Sequence, residues 1–219
     1  MPNEFLPDVL PADPMRIVID WFTEARARAV QPNPDAMVLA SVGNDRKPSA
    51  RVVLCRHVDA AGYVVFYTNY ESRKGRELIA LPRAAGVVHW DTLHRQIRIE
   101  GAVVRSPTTE SDAYFARREL ASRVGAWASK QSQPLDSREA LAEQVTAAEQ
   151  RFGVAPDSRT GEVPRPPHWG GFRIWIDALE LWVEGPGRIH DRAVWRRELQ
   201  RRDDVSFDAT AWSSTRLNP

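Results

Sequence analysis

Apolar residues recur near the start of the chain at the spacing of an amphipathic helix. Asp13-Pro14 is a typical helix start, and the pattern behind it predicts a helix that runs to about Ala29. The apolar positions of this helix are Met15, Val18, Phe22 and Ala25. Further helices are predicted from Ser72 to about Leu81, over 108–119 and over 137–152.

The segments between these helices are short, rich in β-branched and aromatic residues, and bounded by turn residues, which is typical of strands. The predicted strands cover 36–42, 49–58, 63–69, 85–90, 95–104, 171–176, 179–183 and 189–196. Many short strands with helices at the margins favour a mainly β protein, an antiparallel β-barrel with flanking α-helices, over alternating β and α units.

Composition agrees with this architecture. The chain has 219 residues, 42% of them hydrophobic and 27% charged, which suits one domain with a buried core. The formal net charge of +1 gives no overall field that would attract nucleic acid or a membrane. Within a single domain, 1–219, we distinguish an N-terminal segment and helix (1–30), a peripheral helix (136–152) and C-terminal strands (170–219).

Cysteine usage and the N-terminal segment predict a cytoplasmic protein. Cys55 is the only cysteine, so an intrachain disulfide is impossible and we expect no thiolate metal site. Residues 1–14 lack the basic and apolar regions of a signal peptide. The longest apolar runs are too short to span a bilayer.

Two arginines lie in an otherwise apolar predicted strand. Arg51 and Arg56 flank Val52-Val53-Leu54-Cys55, and strict alternation would place the two guanidiniums on opposite faces. Burying an unpaired charge costs several kcal/mol or more, so each needs a partner. The partner is either a ligand or, with equal weight from the pattern alone, a carboxylate on the barrel surface.

A second group of polar residues lies where a predicted strand ends and a helix begins. Tyr67 and Thr68 close the strand, and Ser72-Arg73-Lys74 opens the helix with a capping serine and two cations. Because a helix N-terminus presents free N–H groups, this arrangement suits a phosphate. The alternative is an ordinary cap with solvated charges.

Two further groups carry hydrogen-bond donors at regular spacing. Tyr114, Arg118 and Ser122 would share one face if the helix over 108–119 continued, and such a stripe suits a phosphate. The alternative, favoured by the spacing alone, is a polar solvent face. The second group is Arg188, His190 and Arg192, whose side chains would point the same way on a strand. They would either face an anionic ligand or be the charged side chains of an exposed edge strand.

Taken together, these segments resemble the pyridoxine 5'-phosphate oxidase family, in order along nearly the whole chain. The matching motifs include Arg-Val-Val-Leu at 51–54, Ser-Arg-Lys at 72–74, Trp-Gly-Gly-Phe-Arg at 169–173 and Arg-Ile-His-Asp-Arg at 188–192. Other matching segments are 10–14, 66–69, 95–96, 125–127, 129–132 and 216–219. The resemblance implies an FMN-binding split barrel that forms a homodimer, with FMN held between the subunits.

The resemblance also implies roles for individual residues. The phosphate of FMN would be bound by Arg51, Arg73 and Lys74. The other FMN contacts would be Val52, Val53, Leu54, Arg56, Tyr67, Thr68, Gln96, Gln131, Ser132, Trp182 and Arg192. The substrate's phosphate would be bound by Arg56, Tyr114, Arg118 and Ser122. Arg188 and His190 would lie around the substrate's pyridine ring and serve catalysis as orienting and electrostatic residues.

The activity implied is that of a pyridoxal 5'-phosphate synthase of vitamin B6 metabolism. Pyridoxine or pyridoxamine 5'-phosphate would be oxidised at its 4' carbon by FMN, and O2 would reoxidise the flavin to give hydrogen peroxide. Two alternatives remain: a related flavin oxidase of the phenazine-biosynthesis type on the same scaffold, and a non-catalytic protein that binds FMN or B6 phosphates.

The sequence departs from the family's pattern at two places. Arg56 stands where the family usually has Lys, which keeps the charge but changes the geometry offered to a phosphate. The family often has an Arg and a Tyr in an N-terminal segment that folds over the substrate, and residues 1–10 contain neither.

Overall fold

A curled antiparallel sheet forms the body of the structure, a computed structural model that describes residues 5–155 and 158–219. The strands are β1 (Ala36–Val42), β2 (Pro48–Leu54), β3 (His57–Asp59), β4 (Tyr63–Asn69), β5 (Arg83–Trp90), β6 (Arg95–Arg105), β7 (Trp169–Val183), β8 (Asp191–Arg196), β9 (Leu199–Arg201), β10 (Phe207–Ala209) and β11 (Ser213–Leu217). Seven of them follow the order β11-β8-β7-β6-β5-β1-β2, β4 pairs with both β7 and β3, and β9 and β10 form a separate hairpin.

Helices lie at the margins of this sheet. They are α1 (Met15–Ala27), α2 (Arg73–Ala80), α3 (Thr108–Ala116), α4 (Leu120–Ala128) and α5 (Arg138–Phe152). The predicted cap at Ser72 is present, since Ser72 Oγ accepts from Gly75 N, and Ser137 Oγ, which was not predicted as a cap, accepts from Ala140 N. The N-cap position of α1 is Pro14, not Asp13 as was predicted. In the described ranges, no helix has both the length and the apolar character needed to cross a membrane.

The core lies between the inner face of the sheet and α1. Leu39, Ile99 and Leu179 are almost fully buried on neighbouring strands, and Phe22 of α1 packs edge-on against Trp90. A smaller apolar cluster joins α4 and α5 to the loop behind them; its buried members are Leu120, Val124, Ala128, Ala148 and Val163. This second cluster packs α4 against α5. The mainly β fold with flanking helices is therefore as predicted.

Two strand predictions are wrong in detail. The strand expected over 49–58 stops at Leu54, because Cys55 N donates to Asp35 O and Arg56 N to Val65 O as the chain leaves β1 for β4. The strands expected over 171–176 and 179–183 are one strand, β7, in which a bulge accommodates Asp177. The bulge leaves the Asp177 carboxylate free to bind Arg83 at 2.7 Å.

Two helix predictions also need correction. The helix expected over 108–119 ends at Ala116, and α4, which was not predicted, begins at Leu120. The two helices are separated at Glu119, whose φ of −53° and ψ of 144° are not helical. The first helix ends at Ala27 rather than near Ala29, because Ala29 has a positive φ of 45°. Strands β9, β10 and β11 were likewise not predicted.

The bulge in β7 predicts a specific sensitivity at Gly101. A Cβ there would collide with the carbonyl oxygen of Trp175, so Gly101→Ala should lower the free energy of unfolding by about 1–3 kcal/mol. A Cβ at Gly125 meets nothing within 4 Å, so Gly125→Ala should be neutral or stabilising by up to about 1 kcal/mol. Urea unfolding at one protein concentration measures both, and equal midpoints for the two variants would contradict the close approach.

Candidate functional site

A cavity of about 580 Å³ opens where β2 and β4 end, and α4 closes it. Arg56 and Arg118 both line it, so we call it the arginine cavity. The predicted site residues that it brings together are Leu54, Arg56, Tyr67, Thr68, Tyr114, Arg118, Ser122 and Gln131. Residues proposed for two ligands, the cofactor and the substrate phosphate, thus share one space.

The break between α3 and α4 builds one side of this cavity. Tyr114 lies on α3, Arg118 in the connection and Ser122 on α4, so the prediction of one continuous helical stripe is wrong. The change of direction at 117–119 nevertheless leaves all three residues lining the same space. Their grouping therefore comes from a turn in the chain instead of helical periodicity.

Arg118 is a cation without a carboxylate partner in the part of the chain that the structure describes. Its Nη1 is buried and has no hydrogen-bond partner, and its guanidinium lies 4.6 Å from the ring centre of Trp169. Burial lowers the pKa of Arg118, and the positive charge of Arg56 acts in the same direction. A half-buried donor of this kind is costly to leave unbound, which favours an anion in the cavity.

Arg56 is held at the mouth of the cavity by a carboxylate. Its Nη1 lies 3.4 Å from Asp35, which also binds Arg26 at 2.7 Å. The Arg56 side chain remains 38% exposed, so it keeps donors that face the cavity opening. The prediction of Arg51 and Arg56 on opposite faces of one strand is superseded, because the strand ends between them.

A buried carboxylate, Glu77, binds two other predicted site residues, Arg51 and Arg73. It accepts from Arg51 at 3.0 Å and Arg73 at 2.8 Å, and both Ser41 and Ser49 donate to it at 2.6 Å. Burial alone would raise the pKa of Glu77, but hydrogen bonds from two serines and two arginines outweigh it and lower the pKa to about 2. Glu77 is therefore ionised over the whole physiological range.

Lys74 is buried in the first turn of α2. Its Nζ contacts only hydroxyl groups among the described residues, Thr68 Oγ1 at 3.2 Å and Ser72 Oγ at 3.5 Å. Burial, followed by the nearby charge of Arg51, lowers the pKa of Lys74. Thr68 Oγ1 in turn donates to Gln131 Oε1 at 3.2 Å, which connects this cation to the arginine cavity.

Another group of predicted residues forms a row across four strands. Gln96 of β6 is paired with His89 of β5 and with Trp182 of β7, and Trp182 is paired with Arg192 of β8. Residues paired in this way point to the same face of a sheet. The buried carboxylate of Glu180 binds Arg192 at 2.7 Å and so fixes the end of this row.

Arg188 and His190 do not share a strand with Arg192, so the prediction of three aligned side chains is wrong. Arg188 lies in a turn, Pro186–Arg188, with a positive φ of 66°, and β8 begins only at Asp191. The glycines at 185 and 187 allow this turn. His190 instead packs on Trp182, with ring centres 4.6 Å apart, and Arg188 is exposed.

The row of Gln96, Trp182 and Arg192 lies on one face of the sheet. Glu77 and its two arginines, which we call the Glu77 cluster, lie on the opposite face. Arg51 is in register with Leu39, Gly86 and Ile99, all on the inner face, whereas Gln96 is an odd number of residues from Ile99 and points outward. No hydrogen bond, ion pair or ring contact between the two groups is seen within 5–155 and 158–219. One chain therefore does not place both groups around one ligand.

The remaining predicted residues occupy different environments. Val52 is 63% exposed on the outer face, whereas Val53 is part of the buried core. Ser132 has a positive φ of 68° in the turn beside Gln131. Of the implied FMN contacts in the 51–54 segment, only Leu54 lines the arginine cavity.

Sequence reasoning missed the residues that hold these cations. Asp35, Glu77 and Trp169 were not predicted to take part, because the pairs Asp35–Arg56, Glu77–Arg51 and Trp169–Arg118 form through the fold. The pair of Glu77 with Arg73 did carry a signal, since the two residues are four apart in the helix predicted from Ser72. Glu180 carried a usable signal. It is a carboxylate inside the apolar run Leu179–Val183, where a charge must be paired to be tolerated.

Known proteins match the whole of this architecture. Residues 23–152 match the pyridoxamine 5'-phosphate oxidase family, and residues 169–219 match the pyridoxine 5'-phosphate oxidase C-terminal dimerisation region. The pyridoxine/pyridoxamine 5'-phosphate oxidase of Burkholderia lata is 48% identical over 94% of this chain and 89% of its own length. That of Myxococcus xanthus is 49% identical over 87% of this chain and 88% of its own.

Solved structures confirm the predicted split-barrel fold. PhzG from Burkholderia lata, in complex with tetrahydrophenazine-1-carboxylic acid, is 31% identical with a TM-score of 0.79, and the match covers 97% of this chain and 98% of that one. A pyridoxamine 5'-phosphate oxidase-related, FMN-binding protein from Nostoc punctiforme has a TM-score of 0.67 at 17% identity, covering 94% and 97%. The latter likeness concerns the fold alone.

The ionised Glu77 predicts a pH-dependent contribution to stability. Because its pKa in the folded chain is about 2 and its ordinary value is 4.5, this contribution is complete above pH 4.5 and is lost as the pH falls towards 2. The difference in unfolding free energy between the wild type and Glu77→Gln should therefore be largest near neutral pH and shrink below pH 4.5. Urea unfolding across this range measures it.

The control is Glu143→Gln on the exposed face of α5, which should change the free energy of unfolding by less than about 0.5 kcal/mol. A Glu77→Gln deficit that stays constant from neutral to acidic pH would contradict the role of an ionised carboxylate at this position.

Proposed function

The chain belongs to the pyridoxamine 5'-phosphate oxidase family, and we propose that it is an FMN-dependent oxidase that converts pyridoxine or pyridoxamine 5'-phosphate to pyridoxal 5'-phosphate. The observation that carries this proposal is the arginine cavity, which is lined by Arg118, a half-buried cation whose Nη1 has no hydrogen-bond partner among the described residues. Membership of an oxidase family makes the chain an oxidoreductase; its substrate and cofactor are the proposal.

The arginine cavity suits the phosphate of a B6 ester. Arg56 and Arg118 supply two positive charges, and a phosphate monoester carries about −1.5 to −2 charges at neutral pH. Hydroxyl groups of Tyr114 and Ser122 lie on the same lining and can donate to the remaining oxygens. A substrate without phosphate would leave Arg118 unpaired, so the cavity selects for a phosphorylated ligand.

The cluster around Glu77 suits the phosphate of FMN. Arg51, Arg73 and Lys74 surround one carboxylate, which leaves an excess of two positive charges close to the first turn of α2. Glu77 holds the two arginines in place but does not reach Lys74 with a hydrogen bond, so the Lys74 amine keeps donors for a phosphate. These residues fit a dianionic phosphate group.

We infer a homodimer in which a site is completed by the second subunit. Gln96, Trp182 and Arg192, three of the other proposed FMN contacts, lie on the outer face of the sheet, opposite to Glu77, Arg51 and Arg73. The same face exposes Val38, Val42 and Val52, an apolar stripe that a partner would cover. The match of 169–219 to a dimerisation region supports this arrangement.

When bound, FMN supplies the redox chemistry: acceptance of a hydride from the substrate's 4' carbon, and reoxidation by O2 with release of hydrogen peroxide. The chain's own residues bind and orient. The arginine cavity anchors the substrate's phosphate, and Trp182, with His190 packed on it, offers a flat apolar surface for a ring. The exposure of Arg188 in its turn supports a contact with polar ring substituents of the ligand. Positioning of this kind is the protein's contribution to rate.

A protein of the same fold binds a different kind of ligand, since PhzG was solved in complex with tetrahydrophenazine-1-carboxylic acid. The structure favours a phosphorylated substrate, because a carboxylic acid without a phosphate makes poorer use of two arginines and two hydroxyls in one cavity. A non-catalytic binding protein would have the same cavity, so turnover has to be measured directly.

The proposed reaction predicts anaerobic bleaching of the flavin. Mixing the FMN-loaded protein with pyridoxine 5'-phosphate in the absence of O2 should abolish the visible flavin absorbance, and admitting O2 should restore it with one hydrogen peroxide per pyridoxal 5'-phosphate. Unphosphorylated pyridoxine should react far more slowly. If neither pyridoxine 5'-phosphate nor pyridoxamine 5'-phosphate bleaches the flavin, the proposed oxidase activity is excluded. Faster bleaching by a dihydrophenazine carboxylic acid would favour the phenazine-type activity.

The two phosphate sites predict separable effects of mutation. Arg118→Met should raise KM for the phosphorylated substrate roughly 10- to 100-fold, since a charge-assisted hydrogen bond contributes about 1.5–3 kcal/mol. Lys74→Met should weaken FMN binding by a similar factor, for the same reason. Lys47→Met, at an exposed residue, is the control for loss of a lysine.

Quenching of flavin fluorescence measures FMN binding, and steady-state kinetics at saturating FMN measures KM. The expected result is that each variant moves mainly its own constant. If Arg118→Met and Lys74→Met change both constants equally, the assignment of two distinct phosphate sites is wrong.

A further inference from the structure

Arg118 differs from the other arginines of the site in what holds it. Arg51 and Arg73 are held by Glu77, and Arg56 is held by Asp35. Arg118 instead lies over aromatic rings, 4.6 Å from the centre of Trp169 and 5.6 Å from that of Phe115. Within the described residues no hydrogen bond or ion pair engages its side chain.

An aromatic partner leaves a guanidinium free to bind. A carboxylate would neutralise the charge and occupy N–H donors that point from the edge of the group. The face of a tryptophan attracts the cation through its ring electrons and uses none of those donors. This difference explains how a half-buried arginine can be fixed in place while its N–H donors, Nη1 among them, stay free of protein partners among the described residues.

Trp169 is itself firmly positioned. It is 7% exposed at the start of β7, where it is paired with Asn69 of β4. Its ring is nearly parallel to those of Tyr67 and Tyr114, at interplanar angles of 9° and 13°. Tyr67 and Tyr114 also stack on each other with centres 3.8 Å apart, so three rings form one layered wall of the arginine cavity.

We propose that Trp169 is a positioning residue for the substrate's phosphate. The Trp169 ring holds the Arg118 guanidinium at the arginine cavity before the ligand binds, and it leaves the N–H donors of Arg118 free of hydrogen bonds. This inference rests on the proposed function, in that it assumes a phosphate ester as the ligand. It adds that the affinity for the phosphate depends on a side chain that need not touch it. It also predicts that Trp169 contributes to affinity only through Arg118.

The test is ligand binding to the FMN-loaded protein, measured by calorimetry. The probes are 4-deoxypyridoxine 5'-phosphate, which lacks the oxidisable hydroxyl and is not turned over, and 4-deoxypyridoxine, which lacks the phosphate as well. Trp169→Leu should weaken binding of the phosphorylated probe by about 2- to 30-fold, the range for a cation–π contact. Binding of the unphosphorylated probe should change by less than about twofold, because it has no group for Arg118 to bind.

Two further variants separate positioning from general damage. Trp175→Leu removes a tryptophan of similar burial from the same strand, outside the arginine cavity, and should leave the preference for the phosphorylated probe unchanged. Trp169→Phe keeps an aromatic face and should retain most of the affinity. In an Arg118→Met background, Trp169→Phe and Trp169→Leu should have no further effect on phosphate affinity, as a double-mutant cycle requires.

Each outcome decides the proposal. Equal weakening of both probes by Trp169→Leu, or undiminished effects of the Trp169 variants in the Arg118→Met background, would overturn the positioning role. If Trp169→Leu does not fold, the Trp169→Phe cycle decides in the same way. A wild type that binds both probes equally would overturn this inference together with the phosphate site. Tight, phosphate-dependent binding without oxidation of pyridoxine 5'-phosphate would overturn only the proposed function.

Discussion

The structure depends on holding several cations close together. Like charges in a partly buried space repel and are poorly solvated, so each needs a fixed partner. Glu77 binds Arg51 and Arg73, Asp35 binds Arg56, and Trp169 supports Arg118. These partners set the positions of the donors before any anion binds, which lowers the cost of ordering them on binding.

The fold serves this arrangement by bringing distant segments to one edge of the sheet. β2 and β4 end beside the arginine cavity, while the turn between α3 and α4 brings Arg118 and Ser122 to it. The small core between α4 and α5 fixes that turn. The outer face carries the row of Gln96, Trp182 and Arg192 and an apolar stripe, so in the homodimer that we propose these residues would complete the cofactor site of the second subunit.

Much of the fold and the identity of the cations could be predicted from the sequence, because periodicity and residue type are local properties. Ser72 capping α2 and the cations at 73–74 are examples. Most of the partners that hold charged groups could not be predicted, because they are distant in the sequence. Ser41 donates to Glu77, which is 36 residues away, and Arg173 binds Glu110, which is 63 residues away. The break between α3 and α4 was not predicted because no Gly or Pro precedes Leu120. Strand periodicity predicted that Arg188 points the same way as Arg192, but Arg188 lies in a turn before the strand begins.

A crystal structure of the protein with FMN and 4-deoxypyridoxine 5'-phosphate would test the two phosphate sites most directly. We expect the ester's phosphate between Arg56 and Arg118 and the phosphate of FMN beside Lys74. Gln96, Trp182 and Arg192 of a second subunit should contact the same flavin. Arg118 should remain over Trp169 in the complex. An FMN phosphate in the arginine cavity, or a complete flavin site within one subunit, would contradict these assignments.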